Sequence, residues 1–286
     1  MTDDKETGLE RLRHLIYSAP SGQTWRQVCG VLEDMGADEL EVGLEYVNAH
    51  FQAWPPFVRA YHHEQQASFE RLLAAPPVWL PAVASLSFSH SRIGAEELQA
   101  LSRSPALPDR LAHLYLASNS IGPRGVEALV RADRMCGSLT LLQLWDNGVG
   151  DEGVRLLVES PHLGRLNDLD LRSNGIGPEG ARLLADAPLM AQLTHLNLAG
   201  NALGDEGVAA LALSPHLGNL THLNLRQNKI SDEGLASLAR SPHLGRLAHL
   251  NLRDNALSDE AQRQALRSAP YLQGLVQQVK HIWTRP

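Results

Sequence analysis

Cysteine is scarce in this chain: Cys29 and Cys136 are the two in 286 residues. A pair so far apart supports neither a disulfide framework nor a zinc site. It reads as buried, reduced thiols in a cytoplasmic protein. Long apolar runs are also missing, so no membrane-spanning helix is expected. The first ten residues are polar and charged and lack the basic-then-apolar order of a secretory leader. Aromatic residues make up 5% of the chain, and Lys and Arg number 25 against 32 Asp and Glu, for a net charge of −7. Most of that imbalance lies in residues 1–80, with 12 acids against 6 bases. No basic stripe emerges, which points away from nucleic acid. A phosphate-binding loop, a hydrolase nucleophile elbow and a metalloprotease helix motif are all absent. Catalytic residues, a cofactor and a bound metal are therefore not expected.

What is present is repetition. The stretch Leu193 to Leu217 recurs almost word for word from Leu220 to Leu244. The opening apolar residue of each unit falls at Val83, Leu111, Leu139, Leu166, Leu193, Leu220 and Leu247, with spacings of 28, 28, 27, 27, 27 and 27 residues. Each unit begins with a period-two pair such as Leu114 and Leu116 or Leu196 and Leu198, the pattern of a short strand with one apolar face. Helical spacing follows, as in Val208 with Leu211. Gly122, Gly150, Gly177, Gly204, Ser231 and Ser258 stand at the expected N-cap. Pro123 and Pro178 suit the first helical turn, and Asp151, Asp205, Asp232 and Asp259 complement the helix dipole there. Ser-Pro at Pro161, Pro215 and Pro242 ends the helix. Asn119, Asn147, Asn174, Asn201, Asn228 and Asn255 share one register, with Ser91 in the first unit. An amide can satisfy both a donor and an acceptor where the chain turns inward, so these are structural residues. Gly125, Gly153, Gly180, Gly207 and Gly234 lie within the helices, where glycine costs about 1 kcal/mol relative to alanine. Close packing against the neighbouring helix is the expected reason.

The frame LxxLxLxxNxL, in units of 27 to 28 residues that each hold a strand and a full helix, resembles the leucine-rich repeat of the ribonuclease-inhibitor type. The resemblance covers residues 81–270. It implies an α/β fold, a horseshoe-shaped solenoid with a parallel sheet on the concave side and helices outside. Seven strands at about 4.8 Å would make a face roughly 30 Å long. Such a solenoid exposes raw apolar ends, so caps are expected. Residues 1–80 read as a helical N-terminal cap. One apolar face holds Leu9, Leu12, Leu15 and Ile16; Thr24 is the expected cap of a second helix through Val28, Val31 and Leu32; Leu40, Val42, Leu44 and Val47 suggest a third; a fourth is expected from Phe57 to Leu73. The run Ala19-Pro20, Arg26, Val28, Leu32-Glu33-Asp34, Gly36, Asp38-Glu39 is similar to the repeat-companion domain found beside bacterial leucine-rich repeats, a family with no activity to carry over. Residues 271–286, with Leu272, Leu275, Val276, Val279, Ile282 and Trp283, read as a C-terminal cap.

The third, fifth, seventh and eighth positions of each unit are expected to face the concave space. The candidate binding residues there are Tyr115, Trp145, Asp168, Asp170, Arg172, His195, His222, Arg226, His249 and Arg253. Trp145 stands out, because large aromatics are enriched in binding hot spots; its alternative is to pack on its own neighbours. Asp168 and Asp170 lie on one strand and suit an electrostatic anchor for a basic partner better than paired acid–base work. His195, His222 and His249 should stack on adjacent strands. A near-linear row does not close a metal tetrahedron, whereas stacked imidazoles oppose one another's charging and would make a pH-dependent interface. The expected function is non-catalytic binding of a protein partner by a monomeric chain. The alternative is regulation of a small GTPase, by analogy with Ran GTPase-activating proteins, which have a similar repeat type.

Overall fold

The computed structural model describes residues 7–16, 18, 21–50, 60–62, 80–104, 107–108 and 110–269. Three helices come first: α1 (Gly8–Ile16), α2 (Gly22–Asp34) and α3 (Ala37–His50). Strand β1 (Ala60–His62) follows. Strand and helix then alternate: β2 (Ser85–Ser87), α4 (Ala95–Ser102), β3 (His113–Tyr115), α5 (Gly122–Val130), a short α6 (Asp133–Cys136), β4 (Leu141–Gln143), α7 (Gly150–Val158), β5 (Asp168–Asp170), α8 (Pro178–Asp186), β6 (His195–Asn197), α9 (Gly204–Leu213), β7 (His222–Asn224), α10 (Asp232–Ala239), β8 (His249–Asn251) and α11 (Asp259–Ser268). The strands form one parallel sheet in sequence order, β1 to β8. Equivalent positions pair across it, as in Leu142 with Leu169 and His195 with His222. The expected repeat frame is thus the observed register.

The strands are three residues long, and in each of β3 to β8 the central leucine is buried. The helices bury the matching stripe, for example Val208, Leu211 and Ala212 on α9. One apolar core runs from Leu12 and Trp25 in the first helices through every unit to Ala269. Buried amides hold the units in line. The Asn174 Oδ1 accepts the N–H groups of Asn147 (3.0 Å) and Val149 (3.2 Å) from the preceding unit. Its Nδ2 donates to the carbonyls of Leu144 (2.9 Å) and Arg172 (3.0 Å). Asn119, Asn201 and Asn255 make the same two kinds of bond to the unit before them. The Ser-Pro corners add a second tie: Ser214 and Ser241 donate to the carbonyls of Ala185 and Ala212, each 29 residues back and each at 2.5 Å.

The helix starts follow two solutions to one problem. Where the preceding unit has Asp directly after its helix-start Gly or Ser, its carboxylate takes the N–H of the equivalent Gly or Ser in the next unit. Asp151 accepts from Gly177 (2.7 Å), Asp205 from Ser231 (2.8 Å) and Asp232 from Ser258 (2.7 Å). These three caps are extended, with φ of −100°, −100° and −78°. Where the preceding unit has Ala or Pro there, the helix is capped one residue earlier than expected, by Ile121, Val149 or Leu203, and its first residue turns left-handed: Gly122, Gly150 and Gly204 have φ of 57°, 59° and 60°. Their N–H groups go forward to the carbonyls of Asn147, Asn174 and Asn228 instead. Glycine takes that conformation at the least cost, so it is favoured at these three starts, while serine suffices at the others.

Several expectations need correction. Ser21, not Thr24, caps α2, its side chain accepting the Thr24 N–H. Ala60–His62, expected within a fourth helix, is a strand that pairs with β2; it covers an edge that would otherwise leave backbone groups unpaired. The rest of that expected helix, the Pro76-Pro77 junction and the 271–286 cap lie outside the described residues. A Cβ at Gly125, Gly153, Gly180 or Gly234 would strike Ile121, Val149, Ile176 or Ile230 of the same unit, at Gly180 and Gly234 also Asp151 or Asp205 of the preceding helix, and at Gly207 it would strike Ala181 of the preceding helix. Close approach is therefore the reason: to the neighbouring helix first at Gly180, Gly207 and Gly234, and to the glycine's own unit first at Gly125 and Gly153.

The two cap solutions make a coupled prediction. Gly204→Ser should cost about 1–2 kcal/mol, because a side chain is forced into the left-handed region. Adding Pro178→Asp should recover most of that loss in denaturant melts, by supplying the carboxylate that permits an extended serine cap. Additive losses in the double variant would contradict the coupling.

Candidate functional site

The sheet presents one row of side chains outward, because successive residues of a strand point to opposite faces. The third and fifth positions flank each buried leucine and are half-buried in most units, as at His113, Tyr115, His195, Asn197, His222 and Asn224. The seventh varies with size: Ala117 and Ala199 are buried, Trp145 and Arg172 are half-buried, and Arg226 and Arg253 are exposed. At the eighth the chain leaves the strand through a left-handed residue in every unit, from His90 (φ 58°) through Asp146 (56°) and Gly200 (70°) to Asp254 (58°).

The central units assemble a cluster around Trp145. The Arg172 guanidinium lies over the indole, 5.3 Å from its centroid. The His90 ring, two units earlier, meets it edge-on at 6.0 Å. Alanine at the intervening seventh position, Ala117, keeps the floor between those units low. Arg172 is held on its other side by Asp170: its Nε donates to both carboxylate oxygens (3.0 and 2.9 Å) and an Nη lies 2.7 Å away. The Asp170 Oδ1 also accepts the Arg172 backbone N–H at 3.1 Å. Asp170 is accordingly 5% exposed. It serves as the anchor of Arg172, a role its position did not reveal, and Arg172 rather than Asp170 meets solvent.

Asp168 sits half-buried beside these residues, in register with His195. Burial raises its carboxyl above the usual range, the neighbouring His195 lowers it and Asp170 raises it again. Tyr115 is pushed up by burial and by the Asp168 charge. His113 meets Tyr115 edge-on at 6.2 Å, and burial holds its imidazole below the usual value. Its Nδ1 and the Ser85 Oγ are buried without a hydrogen-bond partner among the described residues.

The three histidines stack as their spacing implied. His195 and His222 have centroids 4.1 Å apart at 13°, and His222 and His249 4.2 Å apart at 23°. Thr194 and Thr221 fix two of the rings through Oγ to Nδ1 contacts of 2.9 Å. Ala248 stands at the equivalent place before His249. Farther along the same face Arg226 donates to Asp254 at 2.6 Å. Among the described residues no group of three or more His, Cys, Asp or Glu side chains is placed to hold a metal. Burial pushes the Cys29 and Cys136 thiols up to about 12, which leaves them protonated at neutral pH. A cavity of about 560 Å³ between α4 and α5, lined by Glu96, Arg103, Arg124 and Arg131, lies among the helices and includes none of the candidate residues.

A family model described as leucine-rich repeat matches residues 111–130, 136–158, 166–185, 192–212 and 216–239. Among solved structures, internalin C2 from Listeria monocytogenes is similar at 22% identity over 72% of this chain and 88% of that one, with a TM-score of 0.45. Internalin F from the same organism is similar at 18% identity over 67% of this chain, with a TM-score of 0.39, and the match spans 60% of its length. No curated protein sequence matches the chain. The matched units are leucine-rich repeats and the fold is an α/β solenoid; no helix among the described residues is long and apolar enough to cross a membrane.

Burial, then the charges of His195 and His249, hold the His222 imidazole below its ordinary range. The folded state therefore binds the proton less readily than the unfolded chain, so stability should fall as pH drops through the ordinary imidazole value near ~6.5 and level off below the lower folded one. Proton titration by NMR should place His222 low, and His195→Gln should raise it. A His222 that titrates at the ordinary value, unmoved by the substitution, would contradict the stacking account.

Proposed function

We propose that the outward face of the sheet is a protein-binding surface centred on Trp145 and Arg172, and that the chain acts by holding a partner without catalysis. Leucine-rich repeat folds commonly serve as interaction modules. The observation that carries the reading here is the Trp145 cluster: an accessible indole with an arginine laid across it, the arginine fixed in turn by buried Asp170. Tryptophan and arginine are the side chains most enriched in binding hot spots. Holding them in one geometry before the partner arrives lowers the entropy lost on docking. Tyr115 and Asp168 extend the surface toward the N-terminal units, and His195, His222, His249, Arg226 and Arg253 toward the C-terminal ones.

The helix of eight to ten residues in each of the later units favours reading the repeats as the ribonuclease-inhibitor type. We read α1 to α3 as the N-terminal cap, since Leu12, Trp25, Val28 and Leu32 join the same core as the units; the repeat-companion resemblance belongs to this segment. Two protonated thiols without a disulfide suit a reducing compartment such as the cytoplasm. The small-GTPase reading rests on repeat type alone, and no residue of the face adds to it.

Pull-down with the full chain should recover a partner that Trp145→Ala and Arg172→Ala lose and that Arg182→Ala, on a helix, retains. Because the indole is half-exposed, Trp145→Ala should shift the thermal midpoint little. Equal recovery by all three variants would contradict the assignment of the surface. A large drop in midpoint for Trp145→Ala would instead mark the indole as core.

A further inference from the structure

The last three strands carry a strip of side chains whose acceptor atoms are already used inside the protein. Asn197, Asn224 and Asn251 stand in register on β6, β7 and β8. Each turns its Oδ1 onto the backbone N–H two residues ahead, of Ala199 (3.3 Å), Arg226 (3.1 Å) and Arg253 (3.1 Å). A backbone N–H can be met only by the amide oxygen, so the amide orientation is fixed and the Nδ2 donors are left outward. They make three rungs about 4.8 Å apart.

The histidines beside them are fixed by the same reasoning. The Thr194 hydroxyl reaches the Asn167 carbonyl at 3.2 Å, and the Thr221 hydroxyl the Thr194 carbonyl at 3.0 Å. Each hydroxyl spends its single proton there, so each Oγ must accept from the imidazole Nδ1–H. His195 and His222 thus keep their proton on Nδ1, with Nε2 as the remaining polar atom, a donor once the ring is charged. Arg226 and Arg253 are exposed in the same units, and the one carboxylate among the described residues of this strip, Asp254, is held by Arg226.

We propose that this strip docks an acidic peptide segment, whose carboxylates take the Asn197, Asn224 and Asn251 donors and the charged histidines. The proposal rests on the reading of the sheet face as a protein-binding surface and names the chemistry of one part of it. Carboxylates brought to the stack offset the repulsion that opposes charging three adjacent imidazoles. Docking and protonation therefore favour each other, and occupancy rises as pH falls through the imidazole range. The charged groups facing the stack are Asp168 from β5, which favours charging, and Arg226 and Arg253 on the units of β7 and β8, which oppose it, with Asp254 offsetting Arg226. His222, held below its ordinary range by burial and by its two neighbours, has the most to gain from an added anion. A nucleic acid fits less well, because the chain carries a net −7.

The test is calorimetric titration of the full chain with a short glutamate oligomer at about pH 5.5 and about pH 8, on either side of the imidazole pKa of ~6.5. Saturable binding is expected at the lower pH, weakening by about tenfold at the higher for each histidine whose pKa the ligand raises by one unit. The double variant Asn224→Asp/Asn251→Asp should lose binding at both pH values. Its fold has a precedent in Asp170, which makes the same turn with the Arg172 N–H at 3.1 Å, and a thermal melt checks it. The triple variant His195→Gln/His222→Gln/His249→Gln should bind weakly and without pH dependence. Absence of saturable binding, pH-independent binding by the unsubstituted chain, unchanged binding by the Asn→Asp variant, or equal binding of a lysine oligomer or an oligonucleotide would each overturn the proposal. If glutamate fails to bind while Trp145→Ala still abolishes partner capture, this inference falls and the protein-binding reading stands.

Discussion

The structure depends on one hydrogen-bonding obligation. A chain that leaves a three-residue strand and turns back toward a helix must bury backbone groups that neither element can pair. The column of asparagines meets this need across the unit boundary. Asn147, Asn174, Asn201 and Asn228 are each no more than 6% exposed, and each serves the backbone of the preceding unit as well as its own. An unpaired buried polar group costs about 1–3 kcal/mol, so no unit can form its turn cheaply without the next one in place. Nearest-neighbour coupling of this kind is what makes a solenoid fold as a whole. The Ser214 and Ser241 ties and the Asp151, Asp205 and Asp232 caps work in the same direction, each joining residues 26 to 29 positions apart.

Because stability is carried by leucines, asparagines and caps, the third, fifth and seventh positions are released from structural duty. They vary in the way that freedom allows. The N-terminal units place Tyr115 and His113 there, the middle units Trp145, Asp168 and Arg172, and the C-terminal units a repeated His, Asn and Arg. Only the fifth position keeps a backbone role, its side-chain oxygen closing the turn after the strand in the units of Asp170, Asn197, Asn224 and Asn251. A face assembled from such positions can be pre-arranged without being part of the core, and that combination suits recognition.

Much of this was readable from residue spacing. The period of 27 to 28, the leucine pairs and the single Asn register lead directly to the parallel sheet and to the identity of its outward positions. The histidine stack follows from the same arithmetic, since equal offsets in adjacent units must lie side by side. Contacts between side chains of different offset were not readable. Nothing in the spacing shows that Asp170 turns back to hold Arg172, or that His90 reaches Trp145 across two units, because both depend on rotamers and on the low floor at Ala117. The strand at Ala60–His62 was also hidden, as three residues outside the repeat frame carry no period. The choice between Gly and Ser at the helix starts was visible as letters, but its cause, a carboxylate one unit back, needed the register to be seen.

Backbone hydrogen exchange, followed residue by residue, tests the central claim most directly. If the asparagine column binds each unit to the next, the N–H groups of Asn147, Val149, Asn174, Ile176, Asn228 and Ile230 should exchange as slowly as those of the buried strand leucines, through one common opening. Exchange of these turn amides at loop rates, unit by unit and independent of the strands, would show that the repeats stand alone and that the amide column does not hold them together.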